Sequence, residues 1–194
     1  MKKSLTELKK PIVLSVHLLE NHLNFETTWG LFSPTEIDAG THQLLGDLKL
    51  TNEKFVLDIG CGYGPLGIAI AKALPEAQVT MVDKDFVAVE YSKKNAQLNK
   101  CNNAKALLSN GFSHIPETAQ YDLIVSNIPA KVGRELLWIL LEDAKKHLKP
   151  GGRIVVVVIQ GLKEFVKNNL KEVFGNYKKN TFGKTYVCMQ AEKE

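Results

Sequence analysis

The stretch of sequence that decides the fold is VLDIGCGYGPLG, residues 56–67. Its first half is an apolar run typical of a buried strand, and Pro65 suits the first position of a helix. The glycines between them allow a tight turn and a close approach of the backbone to a ligand. A plain connection needs fewer glycines, so the segment predicts a ligand-binding turn that joins a strand to a helix.

The phasing of the glycines distinguishes two ligands. Gly62, Gly64 and Gly67 satisfy GxGxxG, the fingerprint of dinucleotide-binding turns. The strand is expected to end near Asp58, however, so that the turn begins at Gly60 and the pattern becomes Asp-x-Gly-x-Gly-x-Gly. A pyrophosphate is disfavoured beside the Asp58 carboxylate, whereas a positively charged amino group is favoured there. S-adenosylmethionine (SAM) carries such a group, and the phasing therefore favours SAM over NAD.

Strands and helices alternate along the rest of the chain. Strands are predicted at Phe55–Ile59, Gln78–Val82, Ala104–Leu108, Tyr121–Ser126 and Arg153–Ile159. Helices are predicted at Pro65–Leu74, Phe86–Asn99, Arg134–Leu148 and Leu162–Phe174. A terminal hairpin of Asn176–Phe182 and Lys184–Gln190 turns around Gly183. The pattern predicts an α/β fold, a doubly wound, Rossmann-like and mostly parallel sheet with a C-terminal antiparallel hairpin.

The first 50 residues are expected to form a small helix and hairpin extension that packs on the active site, within a single domain of residues 1–194. The expected elements are a partly helical Ser4–Asn21, a strand at Leu23–Glu26, a turn at Thr27–Gly30, a returning strand at Leu31–Phe32 and a short helix at Thr41–Leu48.

Composition excludes several classes of protein. No apolar run approaches the roughly 18 residues of a transmembrane helix, and no signal-peptide pattern is found, so no membrane partner is expected. The three cysteines form no CxxC pair and the five histidines show no ligand spacing, which argues against a disulfide framework or a metal site. A cytoplasmic location is the simplest expectation. The net charge of +4 permits a nucleic-acid partner but also suits an ordinary lysine-rich surface.

Two further strand ends carry candidate cofactor contacts. Asp83 ends the second strand, about 20 residues beyond the glycine loop, where an acid commonly binds a ribose diol. Asp85 is expected to cap the next helix instead. Asn110 follows the third strand and is a candidate for the adenine edge, unless it is only a turn residue. The expected cofactor-binding residues are Asp58, Gly60, Cys61, Gly62, Gly64, Asp83, Lys84, Asn110 and Gly111.

With these residues, the sequence resembles the class I SAM-dependent methyltransferases, and more narrowly the methyltransferase small domain family. That family includes the catalytic domains of ribosomal RNA guanine-N2 methyltransferases and single-domain archaeal relatives. The resemblance runs from about Leu23 to the end, with Asn110 standing where the family has Asp. The matching segments are Phe32-Ser33-Pro34, Asp38-Ala39-Gly40-Thr41, residues 57–64, Ser109-Asn110-Gly111 and Leu148-Lys149-Pro150-Gly151-Gly152.

The family's catalytic Asn-Pro-Pro-aromatic motif appears here as Asn127-Ile128-Pro129-Ala130. The resemblance implies that the Asn127 side-chain oxygen and the Ile128 carbonyl accept N–H groups of the amine that is methylated. Pro129 biases Ile128 toward an extended conformation, which helps to aim that carbonyl.

The acceptor side departs from the family at Ala130, which replaces the aromatic residue. Another ring must therefore stack on a nucleobase, and Phe32 and Trp29 are the candidates, with ordinary core packing as the alternative. Lys131 is a candidate phosphate contact, or a solvated lysine.

The resemblance implies SAM-dependent N-methylation of a planar amino group, with an RNA base amine such as guanine N2 as the foremost acceptor. A glutamine amide of a protein and a small-molecule amine remain alternatives. Two other classes also remain: an NAD-dependent oxidoreductase, which the turn phasing disfavours, and a SAM-binding protein without catalysis, which Ile128 and Ala130 leave open.

Overall fold

The computed structural model describes residues 4–194, apart from the side chains of residues 181 and 182. The strands in this part of the chain are β1 Ile12–Leu18, β2 Asn21–Thr27, β3 Phe55–Ile59, β4 Gln78–Asp83, β5 Ala104–Leu108, β6 Tyr121–Asn127, β7 Leu148–Ile159, β8 Lys178–Phe182 and β9 Tyr186–Glu192. The α-helices there are α1 Leu5–Leu8, α2 Ala39–Asp47, α3 Pro65–Ala73, α4 Phe86–Leu98, α5 Arg134–His147 and α6 Lys163–Phe174. A 3-10 turn, Gln160–Leu162, joins β7 to α6.

The main sheet has the order β5-β4-β3-β6-β7-β9-β8, parallel from β5 to β7 and antiparallel at β9 and β8. The predicted doubly wound fold with its C-terminal hairpin is therefore confirmed. The chain runs from β3 outward to β5 and then returns to place β6 on the other side of β3. Such a change of direction opens a crevice at the carboxyl ends of the strands, where open α/β sheets bind ligands.

The alternation of side chains along β7 shows how the core is divided. Val155 and Val157 belong to the apolar cluster under α2, α3 and α4, whereas Ile154, Val156 and Val158 belong to the cluster under α5 and α6. All five are fully buried. Because helices cover both faces, the second half of this strand, residues 154–159, is a continuous apolar run rather than an alternation with polar residues.

The N-terminal hairpin corrects the prediction for residues 4–32. Only Leu5–Leu8 of the expected helical segment is helical, and Ile12–Leu18 is a strand that pairs with Asn21–Thr27. The expected returning strand at Leu31–Phe32 is wrong, because these residues form a bend. The two-residue turn has Leu19 and Glu20 at φ 47° and 63°. Such turns usually carry Asn-Gly or Asp-Gly, so this one had no recognisable signal.

The side-chain amides of Asn95 in α4 and of Asn99 at the C-cap of that helix bind the outer edge of β2. Asn95 accepts the Glu26 N–H at 2.7 Å and donates to the Glu26 carbonyl at 2.8 Å and the Tyr63 carbonyl at 2.9 Å. Asn99 pairs with both backbone groups of Asn24, at 2.9 and 2.7 Å. The two amides thus pair with β2 as a neighbouring strand would, and they tie the hairpin to the glycine loop through Tyr63.

The boundaries of several later elements differ slightly from the prediction. Strand β7 begins at Leu148 and includes the Pro150-Gly151-Gly152 bend, and β8 begins at Lys178 rather than Asn176. The extension predicted for residues 1–50 begins with residues 1–3, which lie outside the described residues. Across residues 4–194, no helix combines the length and apolar character needed to cross a membrane.

Candidate cofactor and acceptor site

A cavity of about 1320 Å³ opens at the carboxyl ends of β3, β4 and β6. Its wall combines the glycine loop, the loop after β5, one face of α5 and the segment between β2 and α2. Typical small-molecule sites occupy roughly 300–1000 Å³. The cavity is therefore large enough for a cofactor and part of an acceptor together.

The glycine loop is built on left-handed backbone conformations. Gly60, Gly62 and Gly64 have φ of 73°, 57° and 95°, a region in which side chains with a Cβ are strained. The N–H groups of Gly60 and Cys61 both donate to the Val82 carbonyl, at 2.8 and 3.0 Å. These bonds hold the start of the loop against the end of β4.

Gly67 is needed for close packing of α3. A Cβ at this position would lie 2.6 Å from Cγ of Met81 and 3.0 Å from Oδ2 of Asp58. The close approach lets the Gly67 N–H donate to Asp58 Oδ2 at 2.8 Å. The last glycine of the loop thus sets the position of the acid that precedes it.

The Asp58 carboxyl is buried in the cavity wall, and its pKa is raised from 3.8 to about 7. Burial raises the pKa most; the Gly67 hydrogen bond opposes this, and the charge of Asp83 adds to it. A nearby cation would restore the ionised form. The site therefore fits the positively charged amino group of SAM. Burial chiefly raises the pKa of the nearby Cys61 thiol, so that the thiol stays protonated at neutral pH.

Asp83 lies at the end of β4, half-buried in the wall. Its carboxylate accepts the Gly62 N–H and the Asp85 N–H, each at 2.9 Å. Each carboxylate oxygen has two acceptor positions, so capacity for two hydroxyl donors remains. Asp85 caps α4 by accepting the N–H groups of Val87 and Ala88. A ribose diol fits Asp83 better than Asp85.

Asn127 ends β6 and also lines the cavity. Its Nδ2 donates to Asp38 Oδ2 at 2.8 Å and to Thr41 Oγ1 at 3.0 Å. A carboxylate only accepts hydrogen bonds, so the amide nitrogen must face Asp38. Both amide protons are used in this way, and Oδ1 is the atom left to accept a hydrogen bond from a ligand.

The residues after Asn127 form the rim. The Ile128 N–H donates to the Val157 carbonyl at 3.0 Å, and its side chain is buried in the core. Pro129, Ala130 and Lys131 are exposed. Phe32 also lines the cavity, with 66% of its surface exposed.

All the predicted site residues line the cavity except Gly64 and Trp29. Lys84, Asn110 and Gly111 lie in the wall. The lining also includes residues that had no predicted role. Asp38 and Thr41 were visible only as part of a family signature, and Tyr186 lies in β9, near the end of the chain. Others come from α5: Leu136, Ile139, Leu140, Asp143, Lys146 and His147. Across the described part of the chain, no group of three or more acidic, histidine or cysteine side chains is arranged to hold a metal ion.

The fold and the site together define a SAM-dependent methyltransferase. The glycine loop follows β3, and Asp83 ends the neighbouring strand β4. Asn127 ends β6, which lies on the other side of β3.

The family comparison agrees with this class. The family model described as the methyltransferase small domain matches residues 22–190. The chain belongs to this family.

Two curated relatives differ in length. Ribosomal RNA large subunit methyltransferase G of Shewanella amazonensis is 31% identical over 192 residues, which cover 96% of this chain and 49% of the relative. The uncharacterised protein YbxB of Bacillus subtilis is 30% identical over 182 residues, covering 92% of this chain and 90% of YbxB. The chain thus spans about half the length of the first relative and nearly all of the second.

Among solved structures, the 16S rRNA N2 methyltransferase RsmC of T. thermophilus, in complex with AdoMet and guanosine, superposes with a TM-score of 0.86. It is 28% identical in sequence, and the match covers 95% of this chain and 51% of RsmC.

Proposed function

We propose that this chain transfers the methyl group of SAM to the exocyclic amine of an RNA base, with guanine N2 as the first candidate. The observation that carries the proposal is Asn127, whose amide is fixed so that its oxygen is left to accept an N–H in the wall of the cavity. The methyltransferase G and RsmC relatives act on ribosomal RNA by name, and RsmC was solved with guanosine. The chain spans about half the length of those two proteins, so the acceptor of this chain is part of the proposal.

The chain's contribution to cofactor binding comes from the glycine loop and the two acids. SAM supplies a methyl carbon made electrophilic by its sulfonium. Asp58 pairs with the cationic amino group and Asp83 accepts the ribose hydroxyls. Lys84, Asn110 and Gly111 surround the remaining part of the nucleoside.

The acceptor amine is held by Asn127 Oδ1 and the backbone carbonyl of Ile128, each of which accepts one N–H. This holds the nitrogen lone pair toward the methyl carbon. As the C–N bond forms and the C–S bond breaks, the two oxygens stabilise the positive charge that develops on nitrogen. The proton then leaves from nitrogen to water, so no general base is needed before transfer.

Phe32 is the ring best placed to stack on the base, because its exposed side chain lies in the cavity wall. Trp29 is not part of this wall. Lys131 lies at the rim and contacts a phosphate of the acceptor. We also propose that residues 1–194 act as one domain whose first 50 residues pack on the acceptor side. Tyr63 supports this arrangement, because its hydroxyl donates to the Ser33 and Glu36 carbonyls at 3.3 and 3.2 Å. A cytoplasmic location fits a ribosomal acceptor and buried free thiols.

Transfer of a tritiated methyl group from SAM into separate RNA, protein and small-molecule extracts tests the proposal. The expected result is label in RNA, which after digestion migrates with N2-methylguanosine, and no label with Asn127→Ala. Label in protein or small molecules alone would overturn the acceptor class. A protein that binds SAM and labels nothing would instead be a SAM-binding protein without catalysis.

A further inference from the structure

The segment Asp38-Ala39-Gly40-Thr41 begins helix α2 and contributes Asp38 and Thr41 to the cavity wall. The sequence marks it only as a signature without a chemical role. In the structure, Asp38 and Thr41 accept hydrogen bonds from the Asn127 side chain, and Gly40 leaves the space in which Asp38 fits. This arrangement carries an inference that rests on the proposed function and goes one step beyond it.

The Asp38 carboxylate is bound on both oxygens. Oδ2 accepts the N–H groups of Gly40 and Thr41, at 2.8 and 3.3 Å, as the N-cap of α2. The same oxygen accepts Nδ2 of Asn127 at 2.8 Å. Oδ1 accepts the hydroxyl of Tyr186 at 3.1 Å. Four donors on one carboxylate hold it in a single orientation.

Gly40 and Thr41 complete the arrangement. A Cβ on Gly40 would lie 2.8 Å from Asp38 Oδ2 and 3.0 Å from the Tyr186 ring, so only glycine leaves room for both. Thr41 Oγ1 accepts the second proton of Asn127 Nδ2 at 3.0 Å. The segment therefore supplies two acceptors to one amide group and the space in which they fit.

We infer that Asp38 and Thr41 are positioning residues that fix the Asn127 amide and strengthen its oxygen as an acceptor. If the amide rotated by half a turn, Oδ1 would face the Asp38 carboxylate, and two acceptors would repel each other. The charged carboxylate also polarises the amide through its N–H, which increases the negative charge on Oδ1. That oxygen then stabilises positive charge on the acceptor nitrogen better than a free asparagine would.

The arrangement also has a consequence for acceptor choice. With Oδ1 fixed toward the ligand, the site receives groups that donate N–H and repels groups that present only lone pairs, such as a ring nitrogen or a carbonyl oxygen. An exocyclic amine meets this condition. The Asp38 and Thr41 pair therefore selects amines over the other nucleophilic atoms of a base.

The charge is tested by Asp38→Asn, because asparagine is an equally good N-cap and keeps an oxygen toward α2. We expect SAM affinity within twofold of wild type and turnover at saturating acceptor at least tenfold lower. Thr41→Val removes the second acceptor and should lower turnover in the same way. Thr41→Ser keeps the hydroxyl and should turn over at the wild-type rate. Should Asp38→Asn fail to fold, the threonine pair still provides the test.

Asp122→Asn is the matched control. Asp122 accepts the N–H groups of Lys54 and Phe55, at 2.9 and 2.8 Å, near the opposite end of β6 from Asn127. Its substitution removes a backbone-bound carboxylate without touching the cavity, so turnover of the folded protein should not change.

A readout independent of activity comes from the side-chain amide protons of Asn127, identified as the NMR pair that is missing in Asn127→Ala. They should move upfield in Asp38→Asn, since a neutral acceptor deshields them less. Unshifted resonances, or wild-type turnover in both Asp38→Asn and Thr41→Val, would overturn the inference. In that case, loss of turnover in Asn127→Ala would still leave the proposed function standing. Wild-type turnover in Asn127→Ala would remove the proposed function itself.

Discussion

An exocyclic amine on an aromatic base is a poor nucleophile, because its lone pair is delocalised into the ring. At the scale of single residues, Asn127 is therefore the side chain on which turnover should depend most. We expect Asn127→Ala to bind SAM almost normally and to turn over on the order of a hundredfold more slowly, as when a preorganised charge-stabilising group is lost. Calorimetry with SAM and single-turnover methyl transfer measure the two effects separately.

A purely structural Asn127 would behave differently. Its loss would then lower the stability of the protein, while each folded molecule turned over at the wild-type rate. Turnover normalised to the folded fraction, taken from a thermal melt, distinguishes the two roles.

Asp58 gives the cofactor site a pH dependence, because its pKa in the SAM-free protein is raised from 3.8 to about 7. Between these values the native state holds a proton that the unfolded chain releases. The free energy of unfolding of the SAM-free protein should therefore fall as pH rises from about 4 through 7. A cationic amino group favours the ionised carboxylate. SAM binding should accordingly release a proton below pH 7 and tighten as pH rises toward that value.

Calorimetry in two buffers with different ionisation enthalpies counts the protons released on SAM binding. Asp58→Asn is the control, since its side chain keeps an acceptor for the Gly67 N–H but does not titrate. We expect weaker SAM binding without proton release in this window. Equal proton release by the variant would assign the linkage to another group.

Asp83→Ala should weaken SAM binding by roughly tenfold to a hundredfold, since hydrogen bonds to a charged group are worth about 1.5–3 kcal/mol. Asp85→Asn keeps a good cap on α4 and serves as the matched control, with SAM affinity expected within twofold of wild type. Equilibrium binding measures both. An unchanged dissociation constant in Asp83→Ala would move the ribose contact elsewhere.

At the scale of elements, a buried side-chain amide joins α4 to β2. The fully buried Asn95 amide binds both backbone groups of Glu26 and the carbonyl of Tyr63. Asn95→Ala removes the partner of these groups. Each buried group that stays unsatisfied lowers the free energy of unfolding by about 1–3 kcal/mol. We expect a loss of on the order of 2–4 kcal/mol in the free energy of unfolding, measured by urea titration.

Gln97→Ala on the same helix is the control, because Gln97 is exposed. Its effect should stay within roughly 0.5 kcal/mol. If Asn95→Ala proved equally mild, water would be replacing the amide and the hairpin would be held by its apolar face alone.

At the scale of the whole molecule, the net charge of +4 bears on the acceptor. If the acceptor is RNA, binding should weaken with salt, because phosphates regain counterions as the protein dissociates. Lys131→Ala should weaken RNA binding and reduce the slope of log affinity against log salt by about 1. Filter binding over a salt series measures this slope.

Lys54→Ala is the matched control for Lys131. Lys54 is also an exposed lysine, but it precedes β3 at the opposite edge of the sheet from the cavity. Its substitution should leave the slope unchanged. RNA affinity that does not respond to salt would argue for a protein or small-molecule acceptor.

The sequence by itself determined the features that neighbouring residues encode. Periodic apolar runs predicted the strands and helices from Phe55 onward, and the glycine loop with its acid predicted the cofactor and the end of the sheet that binds it. Asp83 was found because it ends an apolar strand about 20 residues beyond the glycine loop, and Asn127 because it begins the family motif that follows the fourth strand. These signals are local, so a single sequence contains them.

Only the tertiary structure decided which distant residues meet. Asp38 contacts Asn127 across 89 residues and Tyr186 across 148 residues. Asn95 reaches Glu26 across 69 residues, yet in the sequence it looks like any polar residue of a helix. The free energy of such contacts depends on burial and on the direction of each donor, which are set only when the elements pack. That is why the signature at Asp38 could be recognised in the sequence while its action on Asn127 could not.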